Sequence, residues 1–168
     1  MLAYIRERPL LLSAIVVVLV GSAFFLALPL VVGTPTTLVF PISSSDHISS
    51  WNWTGVYKDG ASKEAEVTNE IARLERMVGK ERVPIYDLFL GIASQYQLLG
   101  DGARSYVYLT KAMVLDGKRG LAYLQMGQLM ESLGAFATAR TAYQKAVLLE
   151  PNNAIFVQAK SAFMTRHP

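Results

Sequence analysis

Few residues in this sequence are of a type that does chemistry, and their spacing does not gather them into a site. There is no Cys, which removes a thiol nucleophile, a disulfide framework, an iron–sulfur site and a lipidated cysteine. The two histidines, His47 and His167, are not at metal-ligand spacing with one another or with a second ligand. Glu64, Glu66, Glu70 and Glu75 have the spacing of a solvated helix face rather than of a general acid–base pair. Gly100-Asp101-Gly102 lacks the third glycine and the preceding strand of a dinucleotide loop, and no phosphate loop or nucleophile elbow occurs. Lys118-Arg119 reads as the turn before a helix. The net charge is +3, and after Gly33 it falls to +2, from 14 Lys/Arg against 12 Asp/Glu, so no nucleic-acid partner is implied. These residues predict no enzyme, and no catalytic, metal-binding or cofactor-binding residue is assigned.

The elements that carry the sequence are more informative. Of its 168 residues 52% are hydrophobic and only 17% charged, where a soluble domain carries about 25% charge. The deficit is local, because no Asp, Glu, Lys or Arg occurs from Pro9 to Ser45. Within that stretch residues 10–32 are all apolar or small. As a helix they reach roughly 34 Å, enough for a hydrocarbon core of about 30 Å. A transmembrane helix is therefore predicted at 10–32, behind a short segment 1–9. A signal peptide is the competing reading, favoured by Arg6 and Arg8 and opposed by the length of the apolar run. Arg6 and Arg8 lie on one flank and no Lys or Arg follows until Lys58. This bias places the N-terminus in the cytoplasm and the remainder outside it. The expectation is a single-pass protein of the inner (cytoplasmic) membrane with a periplasmic or otherwise extracytoplasmic C-terminal domain.

Residues 33–62 are rich in Ser, Thr, Gly and Pro and keep no period of 2 or 3.6, which predicts a mostly extended linker. Trp51 and Trp53 are unusual for a spacer. They would dock on the following domain or on lipid head groups, or form a patch for a partner. Asn52-Trp53-Thr54 matches a glycosylation sequon, a triplet that also arises by chance.

The helical domain is expected at 63–168, and it contains a repeat. Shifting the sequence by 34 residues superposes 86–119 on 120–153 without a gap. Seven positions are then identical: Leu90/Leu124, Leu99/Leu133, Gly100/Gly134, Ala103/Ala137, Lys111/Lys145, Ala112/Ala146 and Leu115/Leu149. About two or three identities would arise by chance, so the period is real. Each unit reads as two helices around a glycine turn. In the second unit these are 121–133, stopped by Gly134, and 135–149, closed by Pro151. Two units are short for a solenoid, which needs about three to bury a continuous core. The flanks supply the rest. Residues 62–78 carry Val67, Ile71, Leu74 and Val78 on one face. A capping helix at 154–165, started by Asn152-Asn153, turns Ile155, Phe156, Ala159 and Phe163 inward.

The second unit has Tyr123-x2-Met126-Gly127-x2-Met130, then Ala139-x3-Tyr143, Ala146 and Pro151. The first has Phe89-x2-Ile92-Ala93-x2-Tyr96, then Ser105-x3-Leu109, Ala112 and Gly117. This pattern resembles the tetratricopeptide repeat family, over residues 86–153. The resemblance implies an all-α fold with a short right-handed α-solenoid of two repeats plus flanking helices. It implies that Phe89, Ala93, Ala112, Tyr123, Gly127, Ala139, Tyr143, Ala146 and Pro151 pack the repeats together. It also implies that the first helix of each unit lines a groove for another protein, with Asp87, Leu90, Ser94 and Gln97 facing it in one unit and Leu121, Leu124, Gln128 and Glu131 in the other. Some family members clamp a C-terminal carboxylate with Lys and Asn at such places; neither residue stands here. The groove would be neutral and partly apolar, suited to an extended peptide or a helix.

Two functions follow as expectations. One is a membrane-anchored scaffold or adaptor, an assembly factor or accessory subunit that presents its repeats outside the cytoplasm. The other is a permanent structural subunit of a larger membrane complex, respiratory, photosynthetic or secretory. Lipid is met through 10–32 in either case.

Overall fold

A computed structural model describes residues 40–53, 55, 61–80 and 84–168. The expected membrane span at 10–32 lies outside the described residues. Among those described, no helix is long and apolar enough to cross a membrane. They form six α-helices and no strand: α1 Ala61–Glu75, α2 Ile85–Leu99, α3 Gly102–Leu115, α4 Gly120–Ser132, α5 Phe136–Leu149 and α6 Ala154–Arg166. Each helix packs on its neighbours in the chain, and α2 also touches α4 and α4 touches α6.

The helices begin and end where local chemistry requires. Pro84 stands at the N-cap of α2, where its missing N–H costs nothing. Gly100 and Gly134 both adopt positive φ, 76° and 74°, and each closes its helix with the same pair of backbone bonds. The Gly100 and Asp101 amides donate to the carbonyls of Gln97 and Tyr96, and those of Gly134 and Ala135 donate to Glu131 and Met130. Left-handed backbone of this kind favours glycine and satisfies carbonyls that the helix end leaves open. The second helices also end alike, with Asp116 donating to Ala112 and Glu150 to Ala146. The 34-residue period of the sequence is thus a period of backbone hydrogen bonding.

The main core runs from α2 to α6 and contains Leu109, Ala112, Met126, Leu129, Ala139, Tyr143, Ala146 and Phe163. A smaller core under α1 holds Val67, Ile71, Ile92 and Tyr96, with Phe89 and Tyr108 packed against both. Small residues set the helix separation. A Cβ on Gly127 would lie 2.9 Å from the Tyr143 ring, so the glycine makes room for the large ring opposite. Ala93, Ala112, Ala139 and Ala146 are wholly buried, as packing positions should be, whereas Pro151 lies exposed beyond the end of α5.

Two of the expected inward positions face outward. Val78 is exposed because α1 ends at Glu75 and the chain tightens into turns, the amides of Met77 and Val78 reaching back only three residues. Ile155 is 67% exposed while Phe156 and Phe163 are buried. The inward stripe of α6 is 156, 159 and 163, and Ile155 stands about 100° from Phe156 and about 80° from Phe163, beyond the half-buried edge at Ala159.

Candidate protein-binding groove

The residues predicted to line a groove fall into three groups. Leu90 and Leu124 are only 4% and 5% exposed and belong to the main core. They are core residues, not the groove residues expected. Adjacent first helices approach closely enough that position five of each unit is enclosed. Glu131 and Gln97 are half-buried and already engaged. Glu131 Oε1 accepts from Arg166 Nε and Nη2 at 3.0 and 2.8 Å and lies 3.2 Å from His167 Nε2, while Oε2 accepts from the Tyr143 hydroxyl at 2.9 Å. Gln97 Nε2 donates to the buried Ser105 hydroxyl at 3.1 Å. That leaves Asp87 and Gln128 exposed, and Ser94 and Leu121 half-buried. The surface left for a partner is therefore narrower and more polar than the residue types suggested.

Electrostatics fix the two ends of this surface. At one end Asp87 Oδ1 accepts from Arg119 Nη2 at 3.0 Å. The Arg119 guanidinium lies 4.0 Å from the centre of the Tyr86 ring, and the Tyr86 oxygen accepts from the Ala122 amide at 3.1 Å. Burial pushes the Tyr86 hydroxyl above its ordinary pKa, so it stays neutral and can hold the joint between repeats. At the other end burial works to raise the Glu131 carboxyl. Hydrogen bonds from Arg166 and Tyr143, the Arg166 charge and the bond from His167 outweigh that, so its pKa is lowered. The Tyr143 hydroxyl is raised in turn by burial and by its bond to Glu131. His167 also stacks on Phe136, ring centres 4.0 Å apart, and its carbonyl accepts from Arg140. The C-terminal end of α6 is thereby locked onto α4 and α5.

Compared with protein-family models and with curated proteins, the chain matches none.

Trp51 and Trp53 dock on the helical domain, one of the places expected for them, but residues 40–53 as a whole are not the extended linker expected. They contain no helix or strand apart from a single bridge between Asn52 and Asp101, yet they are no free spacer. Phe40, Ile48, Trp51 and Trp53 pack against the main core, so the packed body includes Phe40 and does not begin at residue 63. The Tyr106 hydroxyl donates to the Phe40 carbonyl at 2.6 Å, and the Phe40 and Tyr123 rings meet edge-on. Tyr123 packs against the main core and donates to the Gly117 carbonyl at 3.4 Å, and Phe40 covers its ring. Trp51 meets Tyr106 edge-on, the Gly102 amide donates to the Trp51 carbonyl, and the Trp53 amide donates to the Gly100 carbonyl.

Between these contacts Asp46 reaches the N-terminus of α5. Its Oδ1 accepts from the Ala137 amide at 3.1 Å and its Oδ2 from the Thr138 amide at 2.7 Å and the Thr138 hydroxyl at 2.6 Å. The Ser43 amide donates to the same hydroxyl at 2.9 Å. Burial alone would raise the Asp46 carboxyl, but the bonds from Thr138 and Ala137 more than offset it and lower its pKa. A carboxylate at this place satisfies open amides and meets the positive end of the helix dipole. The sequence did hold a signal: α3 has its own cap, Asp101, whose Oδ1 accepts from the Arg104 amide at 2.9 Å, and the equivalent place in α5 is Ala135.

Proposed function

We propose that the chain is a membrane-anchored scaffold of the tetratricopeptide type. It presents a short right-handed solenoid outside the cytoplasm and engages other proteins through α2 and α4. The observation that carries this reading is the recurrence, at 34 residues, of the two turns at Gly100 and Gly134 with equivalent hydrogen bonds, in register with the residue pattern. Support for the groove comes from Asp87, Ser94, Leu121 and Gln128, which keep exposed surface on the two first helices. Support for the anchor comes from the uncharged run at 10–32. The reading assigns no catalysis.

The buried position of Leu124 makes it unsuitable as a probe, since a charge there would unfold the repeats. The test is photo-crosslinking in intact membranes from Ser94 and from Gln128, with Gln144 on the exposed face of α5 as control. The same partner captured from the first two positions and not from the third is the expected result. Capture from Gln144 alone would overturn the groove. Release of the chain from membranes by alkaline carbonate would overturn the anchor.

A second reading, a permanent subunit of a larger membrane complex, has its own support. The groove residues Gln97 and Glu131 are occupied internally, while Val114, Leu115, Leu148 and Ile155 are 52%, 51%, 73% and 67% exposed. Apolar surface of this kind suits an assembled subunit. Mild detergent extraction separates the two: partners in fixed stoichiometry that survive high salt belong to a subunit, and exchangeable ones to an adaptor.

A further inference from the structure

We propose that residues 40–53 form a detachable strap, a unit that leaves the repeats as a whole while the six helices stay folded. Its attachment differs in kind from that of the helices. None of its four core-facing side chains, Phe40, Ile48, Trp51 and Trp53, is fully buried. It has no helical hydrogen bonds of its own, so its backbone is held by a few points on other elements. Segments with few buried apolar contacts and little internal bonding open at lower free energy than the core beneath them.

The points of attachment are arranged to act together. Asp46 and Ser43 hold one stretch to the start of α5. Trp51 and Trp53 hold the other to the turn before α3, through the Gly100 carbonyl and the Gly102 amide. The approach there is close: a Cβ on Gly102 would lie 2.6 Å from the Trp51 carbonyl and 2.8 Å from the Trp53 ring. Only four residues separate Asp46 from Trp51 in sequence, and Ile48 between them packs on the same core. Loss of one stretch therefore loosens the other. Release has a defined consequence for the repeats. It uncaps α5, whose N-cap residue Ala135 offers no side-chain bond, and bares the aromatic surface of Tyr106 and Tyr123. The strap thus gates a face of α3, α4 and α5 that is separate from the α2–α4 groove.

The chain carries its own reporter, because its only two tryptophans, Trp51 and Trp53, are both in the strap. The experiment is urea titration of the full chain in mild detergent, followed by tryptophan emission and by helical circular dichroism. Emission is expected to shift to the red at lower urea than the loss of helix. Asp46→Ala is expected to lower the docking constant about five- to thirtyfold and to move the emission change, not the loss of helix, to still lower urea. Hydrogen exchange on the unmodified chain is a test that needs no variant. The amides of Trp53, Gly102, Ala137 and Thr138 are expected to exchange at one common rate, about tenfold or more faster than the core amide of Ala139. Coincident emission and helix transitions, or exchange of Ala137 and Thr138 only together with the core, would overturn the proposal.

Discussion

The turns before α3 and α5 stand 34 residues apart and do the same work with different residues. Both reverse the chain at a glycine of positive φ with equivalent backbone bonds. The first, Gly100-Asp101-Gly102, caps its following helix with its own aspartate and leaves room for the strap at both glycines. The second, Gly134-Ala135-Phe136, has no capping side chain and receives one from Asp46, 92 residues before Thr138 in the chain. The same open amides recur wherever a helix starts, so a repeat fixes the need for a cap but not its source. The local cap makes its repeat self-sufficient. The borrowed cap ties the second repeat to a segment outside it.

The largest separation between the two turns should come from matched glycine substitutions. Gly134→Ala is expected to cost about 1–2 kcal/mol for left-handed backbone alone, because nothing lies within 4 Å of the added carbon. Gly100→Ala adds a collision with the Trp53 carbonyl and should cost about 3 kcal/mol or more, with a red shift in tryptophan emission. Equal costs in urea unfolding would erase the distinction drawn here.

Next in size is the pairing inside each repeat. Gly127→Ala is expected to cost about 1–3 kcal/mol by overpacking against Tyr143. Adding Tyr143→Leu, which restores the small-and-medium pair that Ala93 and Leu109 form at the same positions of the first repeat, should recover part of that cost. A double variant no better than the single one would show that the rings do not limit the spacing.

Removing either cap should cost about 0.5–2 kcal/mol, Asp46→Ala at the docking of the strap and Asp101→Ala at the loss of helix, so the first should change tryptophan emission and the second serves as the contrast. Acid sharpens the contrast. The folded pKa values of Asp46 and Glu131 are both lowered, so their contributions are fully present above the ordinary carboxylate value of about 4. Those contributions fade as the pH falls through the lower folded values. Stability should drop on that side, and Asp46→Asn should flatten the part of the drop read from emission midpoints, not the part read from the loss of helix, in a pH series.

The smallest effect belongs to the link between repeats at Asp87 and Arg119, whose side chains are 50% and 44% exposed. Asp87→Asn should change stability by less than about 1 kcal/mol, and less still at high salt. A larger loss would mean that the repeats are joined by this ion pair rather than by the core.

Much of the helical architecture was legible beforehand. The 3.6-residue pattern, the two glycine stops and the 34-residue register placed α4 and α5 within a residue of their observed ends, and Asn153 caps α6 as expected. The candidate groove was less legible. Exposure of Leu90 and Leu124 depends on how closely neighbouring first helices approach, and the freedom of Glu131 depends on where Arg166 and His167 land. Neither distance is written in local composition.

The sequence by itself determined where the helices start and stop and how they repeat, because propensity, glycine turns and apolar spacing act over a few neighbouring residues. Only the tertiary structure decided that a Ser-rich stretch without periodicity is a strap, that its aspartate caps a helix far along the chain, and which groove residues are enclosed. Those outcomes rest on contacts between residues distant in sequence, whose energies appear only when the helices have packed.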